Sequence, residues 1–101
     1  MKRKATMTKA NIVDRVSAAT GLTKVETETV IDGFMSTIID TLKSKGHVEL
    51  RGFGTFGIKK REPRLARNPG TGETVQLPER FVPVFKPSMS LKKNIRETLK
   101  I

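Results

Sequence analysis

Cysteine, tyrosine and tryptophan are absent from this 101-residue chain, and a single histidine stands at position 47. Without cysteine there is neither a disulfide framework nor a thiolate metal site, which fits a reducing compartment. One histidine and no cysteine or tyrosine leave few groups for general acid–base or nucleophilic chemistry. The carboxylates of Glu26, Glu28, Asp32 and Asp40 fall on the polar side of a helical pattern and read as solvated charge. No apolar run approaches the ~20 residues of a membrane span. The opening MKRKAT is basic but has no apolar core behind it, unlike a secretory leader. GFGTFG at 52–57 lies between strand patterns and lacks the helix and lysine of a phosphate loop. Neither an enzyme nor a cofactor, metal, small-molecule substrate or membrane is therefore expected.

What the chain has is positive charge. Lys and Arg number 20 against 10 acids, a formal charge of +10. Such an excess points to a polyanion, nucleic acid before membrane surface. It is uneven: residues 1–46 carry +3 and residues 47–101 carry +7. The partner surface is expected in the second half.

Residues 1–7 read as a basic flexible tail, and 8–101 as one domain. Thr8 can cap a first helix carrying Ile12, Val13, Val16 and Ala19, which Thr20-Gly21 ends. Thr23 and Glu26 have the spacing of a capping box. Behind them Ile31, Phe34, Met35, Ile38, Ile39 and Leu42 form a broad apolar stripe, stopped by Gly46. The period then falls to two: Val48 and Leu50, a tight GFG connection, then Phe56 and Ile58. FVPVFKPS at 81–88 returns to the body, and Ser88 or Ser90 can cap a last helix with Leu91, Ile95 and Leu99 on one stripe.

Between 59 and 80 the apolar supply collapses to Leu65, Ala66, Val75 and Leu77. Strands this poor cannot form a buried layer; they fit a two-stranded ribbon leaving the body, an arm over about residues 59–80, ordered by its partner. Eight residues a side give it a reach of roughly 26 Å. Lys59, Lys60, Arg61, Arg64 and Arg67 crowd one approach. In a regular strand 59, 61 and 67 share a side, and Arg64 joins them if Pro63 permits a bulge. A ribbon of this kind fits the minor groove of a duplex, read through arginine; a solvated edge strand kept soluble by charge is the plainer alternative. At the tip, Asn68-Pro69-Gly70-Thr71-Gly72 is an ordinary turn sequence. Pro69 there is either a turn former or an apolar wedge between base pairs.

Three ordered motifs, RGFGTF at 51–56, RxxRxxRNPxTGE at 61–73 and VPxFKPSxxLK at 82–92, resemble the bacterial HU and integration host factor family of DNA-bending proteins. The resemblance covers nearly the whole chain. It implies an α+β fold: an intertwined dimer with a helical body and a β-sheet extended into two β-ribbon arms around the DNA minor groove. It makes Pro69 the intercalating tip residue, Asn68 part of the tip, and Arg61, Arg64 and Arg67 arm contacts, beside the Lys59 of the same basic run. Lys9, Lys86, Lys92 and Lys93 would line a phosphate track on the body. Phe53, Phe56 and Phe85 would pack the dimer core, together with Phe34 from a helical stripe too broad for one small subunit to cover. Glu49 and Arg51, two residues apart on one strand face of VELRGFG, are similar to a pair in the beta subunit of integration host factor that helps choose a sequence; a surface ion pair of little energetic value is the other reading. Ser88 and Ala66 stand where the family usually or often has glycine.

The expectation is thus a non-enzymatic architectural protein that binds and bends double-stranded DNA of a cytoplasmic nucleoid, as a homodimer or with a paralogous subunit. The alternatives are an RNA-binding or ribosome-associated basic protein, whose A-form grooves suit a ribbon less well, and an interaction module that charge merely keeps soluble.

Overall fold

The computed structural model describes residues 5–100. Along them run α1 (Lys9–Thr20), α2 (Lys24–Lys43), β1 (Val48–Leu50), β2 (Gly54–Arg61), β3 (Arg64–Arg67), β4 (Thr74–Leu77), β5 (Arg80–Pro87) and α3 (Met89–Thr98). This is the α+β class expected. Of the expected basic tail, residues 1–4 lie outside the described residues, and 5–7 carry no regular structure. The chain divides into two compact units, Met1–Thr37 and Ile38–Ile101.

In the first unit both helix starts are capped as their sequences predict. The Thr8 hydroxyl accepts from the Asn11 N–H at 3.3 Å, and the Asn11 side-chain oxygen accepts from the Thr8 N–H at 3.1 Å. Gly21, at φ 81°, closes α1 in the left-handed region that glycine enters freely. On α2 the Thr23 N–H donates to Glu26 Oε1 at 3.0 Å and the Glu26 N–H to Thr23 Oγ1 at 3.1 Å. Hydrogen bonding from the Thr23 backbone, and then from its hydroxyl, favours the charged carboxylate and holds Glu26 below the usual carboxyl range. Thr27 is fully buried, and its hydroxyl is satisfied by the Thr23 carbonyl at 2.8 Å. Val13 supplies the buried apolar side chain of α1. Asp14–Lys24 at 3.3 Å and Lys9–Asp32 at 3.0 Å are exposed ion pairs, screened by solvent and of little consequence for stability.

The second unit corrects the expected stop of α2. The left-handed residue is Lys45, at φ 63°, not Gly46. Lys45 N–H donates to the Leu42 carbonyl at 3.0 Å and Gly46 N–H to the Thr41 carbonyl at 2.9 Å, the paired bonds of a Schellman end. Gly46 is there for space: a Cβ would stand 2.9 Å from Thr41 Cγ2. A left-handed lysine costs roughly 1–2 kcal/mol. Its ammonium, 5.1 Å from the Phe81 ring centroid, returns part of that, about 0.5–1 kcal/mol for an exposed cation–π contact.

β1, β2 and β5 form an antiparallel sheet in that order. Phe53 N–H donates to the Leu50 carbonyl at 2.9 Å across a turn that holds Gly52 at φ 80°. Arg51 therefore lies in the turn, not on the strand face expected for it. The rings of Phe53, Phe56 and Phe85 cluster, with centroids 5.3 Å (Phe53–Phe85), 4.8 Å (Phe56–Phe85) and 6.5 Å (Phe53–Phe56) apart. Ser88, rather than Ser90, caps α3, accepting from the Leu91 N–H at 3.1 Å. Leu99 stands just past the end of that helix.

The arm begins where β1 stops covering β2, beyond the Val48↔Phe56 pair. Its inner half is β2 with β5, its outer half β3 with β4. The inner register ends at Arg61↔Arg80 and the outer begins at Arg64↔Leu77, so two residues are skipped on each side. No extra residue exists on either strand, and the bulge expected at Pro63 is not formed.

Hydrogen-bond phase explains the break. The Ser88 N–H donates to the Phe53 carbonyl at 2.9 Å, which places the bonded positions of β2 on its odd residues. Pro83, opposite Ile58, and Pro87, opposite Gly54, thus stand where an N–H would point outward, and the ladder loses nothing. After Arg61↔Arg80 the next bonded position would set Pro63 against Pro78, and neither has an N–H to give. The ladder stops there. It restarts one residue out of phase: Asn68 N–H donates to the Glu73 carbonyl at 2.8 Å, so β3 bonds through its even residues. The register is unchanged, but the side chains change sides. Arg64 joins the side of Arg61, and Arg67, three residues on, takes the other. The expectation that 59, 61 and 67 share a side fails for this reason.

Candidate nucleic-acid interface

The phase change builds a depression at the joint between the inner and outer halves of the arm, about 650 Å³ in volume, lined by Arg61, Glu62, Pro63, Arg64, Arg80 and Val82. Arg61 and Arg64 were expected at this surface; Arg80 was not. Folding the sequence symmetrically about the six residues Asn68–Glu73 would have found it, since that operation sets Arg80 opposite Arg61. Among the described residues none of these three guanidinium groups is in an ion pair. Lys60 is engaged with Glu79 at 3.2 Å, while the neighbouring Lys59 is exposed.

At the far end Asn68 organises the tip. Its side-chain oxygen accepts from the Gly70 N–H at 2.9 Å, and its backbone carbonyl accepts from the Gly72 N–H at 2.7 Å. Gly72, at φ 75°, turns the chain back, and Thr71 Oγ1 accepts from the Glu73 N–H at 3.2 Å. Pro69 is thereby held exposed at the apex. The side-chain oxygen of Asn68, expected at the partner surface, is used in building the turn that presents Pro69.

Around the start of α3 the structure brings together Arg51, Lys86 and Lys92, which line one hollow with Glu49 and Ser88. Lys92 and Lys93 line the next hollow with Arg96, which was not among the expected site residues; its i+4 spacing from Lys92 was the available signal. The positive end of the α3 dipole adds to these cations. Glu49 and Arg51 form no ion pair among the described residues. Lys9 belongs to the other unit, and hydrogen bonding and charge attraction from Asp32 raise its pKa.

Apolar side chains are left uncovered. Phe53 and Phe85 are 47% and 40% exposed despite their ring cluster, and Phe34, in the first unit, is 50% exposed. Ile39, Leu42, Ile58, Phe81 and Val82 line an apolar hollow with Pro83. Among the described residues there is no group of three or more His, Asp or Glu side chains that could hold a metal ion. None of their helices is long and apolar enough to cross a membrane.

Residues 7–96 match the family model described as bacterial DNA-binding protein. The chain is 38% identical over 97 residues to the DNA-binding protein HU of Thermus thermophilus, spanning 96% of this chain and 100% of that one. It is 38% identical over 94 residues to the integration host factor subunit beta of Vibrio atlanticus, spanning 92% and 100%. An Anabaena HU–DNA cocrystal structure superposes with a TM-score of 0.81 at 32% identity, covering 88% of this chain and 97% of that one.

Proposed function

Because the chain belongs to the bacterial DNA-binding protein family, we propose that it is an architectural protein that grips duplex DNA between β-ribbon arms and bends it, without catalysing a reaction. The observation that carries this is the arm itself: a two-stranded ribbon with guanidinium groups outside any ion pair at its joint and an exposed proline at the apex of a hydrogen-bonded turn. Arginines in a narrow minor groove read width and negative potential. A proline pressed between base pairs costs a few kcal/mol of stacking, repaid by the protein surface that the bent duplex then touches. On the body, Arg51, Lys86, Lys92 and Lys93 neutralise phosphates along the flank of the bend, and Lys9 joins them once it leaves Asp32.

Residues 8–101 act as one DNA-binding domain whose core a second subunit completes. The exposed Phe34, Phe53 and Phe85 support this, as does the beta-subunit relative, whose name implies a partner. The partner is a second copy or a paralogue, and the place of action is the nucleoid.

Two measurements test the reading. Affinity for duplex DNA falls steeply with salt, with a log–log slope near −0.9 per phosphate neutralised; a flat response overturns it. Pro69→Ala reduces the circularisation of short duplexes more than it reduces affinity, and unchanged circularisation removes the wedge.

A further inference from the structure

Arg61 and Arg80 are directly opposed in the ladder, and like charges so placed repel across a sheet. Arg64, turned to the same side by the phase change, adds a third guanidinium to the depression they line. Nearby acid does little to relieve them. Glu79 is committed to Lys60 at 3.2 Å. Glu62 lines the same depression but pairs with none of the three arginines among the described residues. Arg80 Nη1 has only a long bond, 3.4 Å, to the Pro78 carbonyl. A free protein that holds three cations in one hollow with one acid keeps an unfilled anion position. A phosphodiester fits it, since guanidinium forks bind phosphate oxygens bidentately.

We propose that Arg80 is a phosphate ligand of the arm's joint, closing with Arg61 and Arg64 from opposite strands on one backbone phosphate of the duplex. The inference rests on the reading that the arms hold DNA. It assigns a task to the returning strand, which the basic run at 59–67 gave no reason to suspect. It also gives the paired prolines a consequence: without the phase change at Pro63 and Pro78, Arg64 would face away, and the clamp would have two arms instead of three.

The test compares wild type, Arg80→Ala and Arg80→Lys on a nicked duplex across a salt series, with the melting temperature of each free protein. Arg80→Ala is expected to bind about tenfold more weakly at low salt and to lose about 0.9 from the magnitude of its salt slope. Its melting temperature should be unchanged or higher, because a repelling charge has gone. Arg80→Lys should restore the slope but not the full affinity, since an ammonium lacks the fork. A duplex series with single methylphosphonate linkages locates the phosphate: one neutral linkage should weaken wild type more than it weakens Arg80→Ala, in which only Arg61 and Arg64 still reach it. Wild-type binding with an unchanged slope in Arg80→Ala overturns the clamp alone, as does a lowered melting temperature with an unchanged slope. Failure of wild type to retain duplex at all overturns the DNA-holding reading with it.

Discussion

Pro63 and Pro78 occupy the same position on opposite strands of the arm, two residues beyond the Arg61↔Arg80 pair and one before Arg64↔Leu77. Each removes a donor that the inner ladder would have used, so the arm is jointed there without any change of register. Replacing both by threonine returns the two N–H groups. A ladder bond is worth about 1 kcal/mol net, so local opening becomes roughly tenfold rarer or more. Amide exchange around residues 61–65 and 76–80 of the Pro63→Thr/Pro78→Thr variant should slow accordingly. Exchange as fast as in wild type would show that something other than missing donors breaks the ribbon.

The tip makes a second prediction. Asn68→Ala removes the acceptor for the Gly70 N–H and costs the turn about 1 kcal/mol, while melting of the body stays where it was. Pro69 is then no longer held at the apex, and duplex circularisation should fall as it does for Pro69→Ala. Asn68→Asp separates turn building from charge. It keeps the acceptor and the turn but sets a negative charge among phosphates, so it should lose affinity.

Gly54 is the most constrained glycine of the body. A Cβ there would lie 2.6 Å from the Lys86 carbonyl oxygen and 2.6 Å from the Phe85 ring. One obstacle is backbone and the other a ring already in a three-membered cluster, so neither can swing aside. Gly54→Ala should destabilise by about 2–3 kcal/mol and lower the melting temperature by roughly 10 °C or more. A drop of only a degree or two would mean that β5 yields easily.

Helix starts were legible because they are local: Thr8, Thr23 with Glu26, and Ser88 each act within four residues. The arm was legible from scarcity, since four aliphatic side chains over residues 59–80 cannot make a core. Its two faces were not, because the side each residue takes along β2 and β3 depends on which N–H groups point inward, and that phase is set by cross-strand partners, 19 to 33 residues away for β2 and 7 to 13 for β3. Arg80 was hidden for the same reason: alone among PER at 78–80 it joins no basic run. Lys45 took the left-handed position that Gly46 seemed made for, because the tight packing of Gly46 against Thr41 claims the glycine first.

Acid should loosen the start of α2 before the sheet. The Glu26 carboxyl is held below the ordinary carboxyl value of 4.5 by the backbone and hydroxyl of Thr23. A group whose folded pKa is depressed adds stability above its unfolded pKa and gives it up as pH falls through the folded one. The contribution is therefore complete at neutral pH and fades below about pH 4.5. Lys9 runs the opposite way: Asp32 raises it above 10.5, so its share is present throughout the neutral range and vanishes only in strong alkali. Glu26→Gln keeps an oxygen acceptor for the Thr23 N–H but carries no titrating charge. Below pH 4.5 the melting temperature of wild type should fall towards that of Glu26→Gln, and the two curves should converge. Curves that stay parallel down to pH 3 would show that the capping carboxylate contributes nothing to stability.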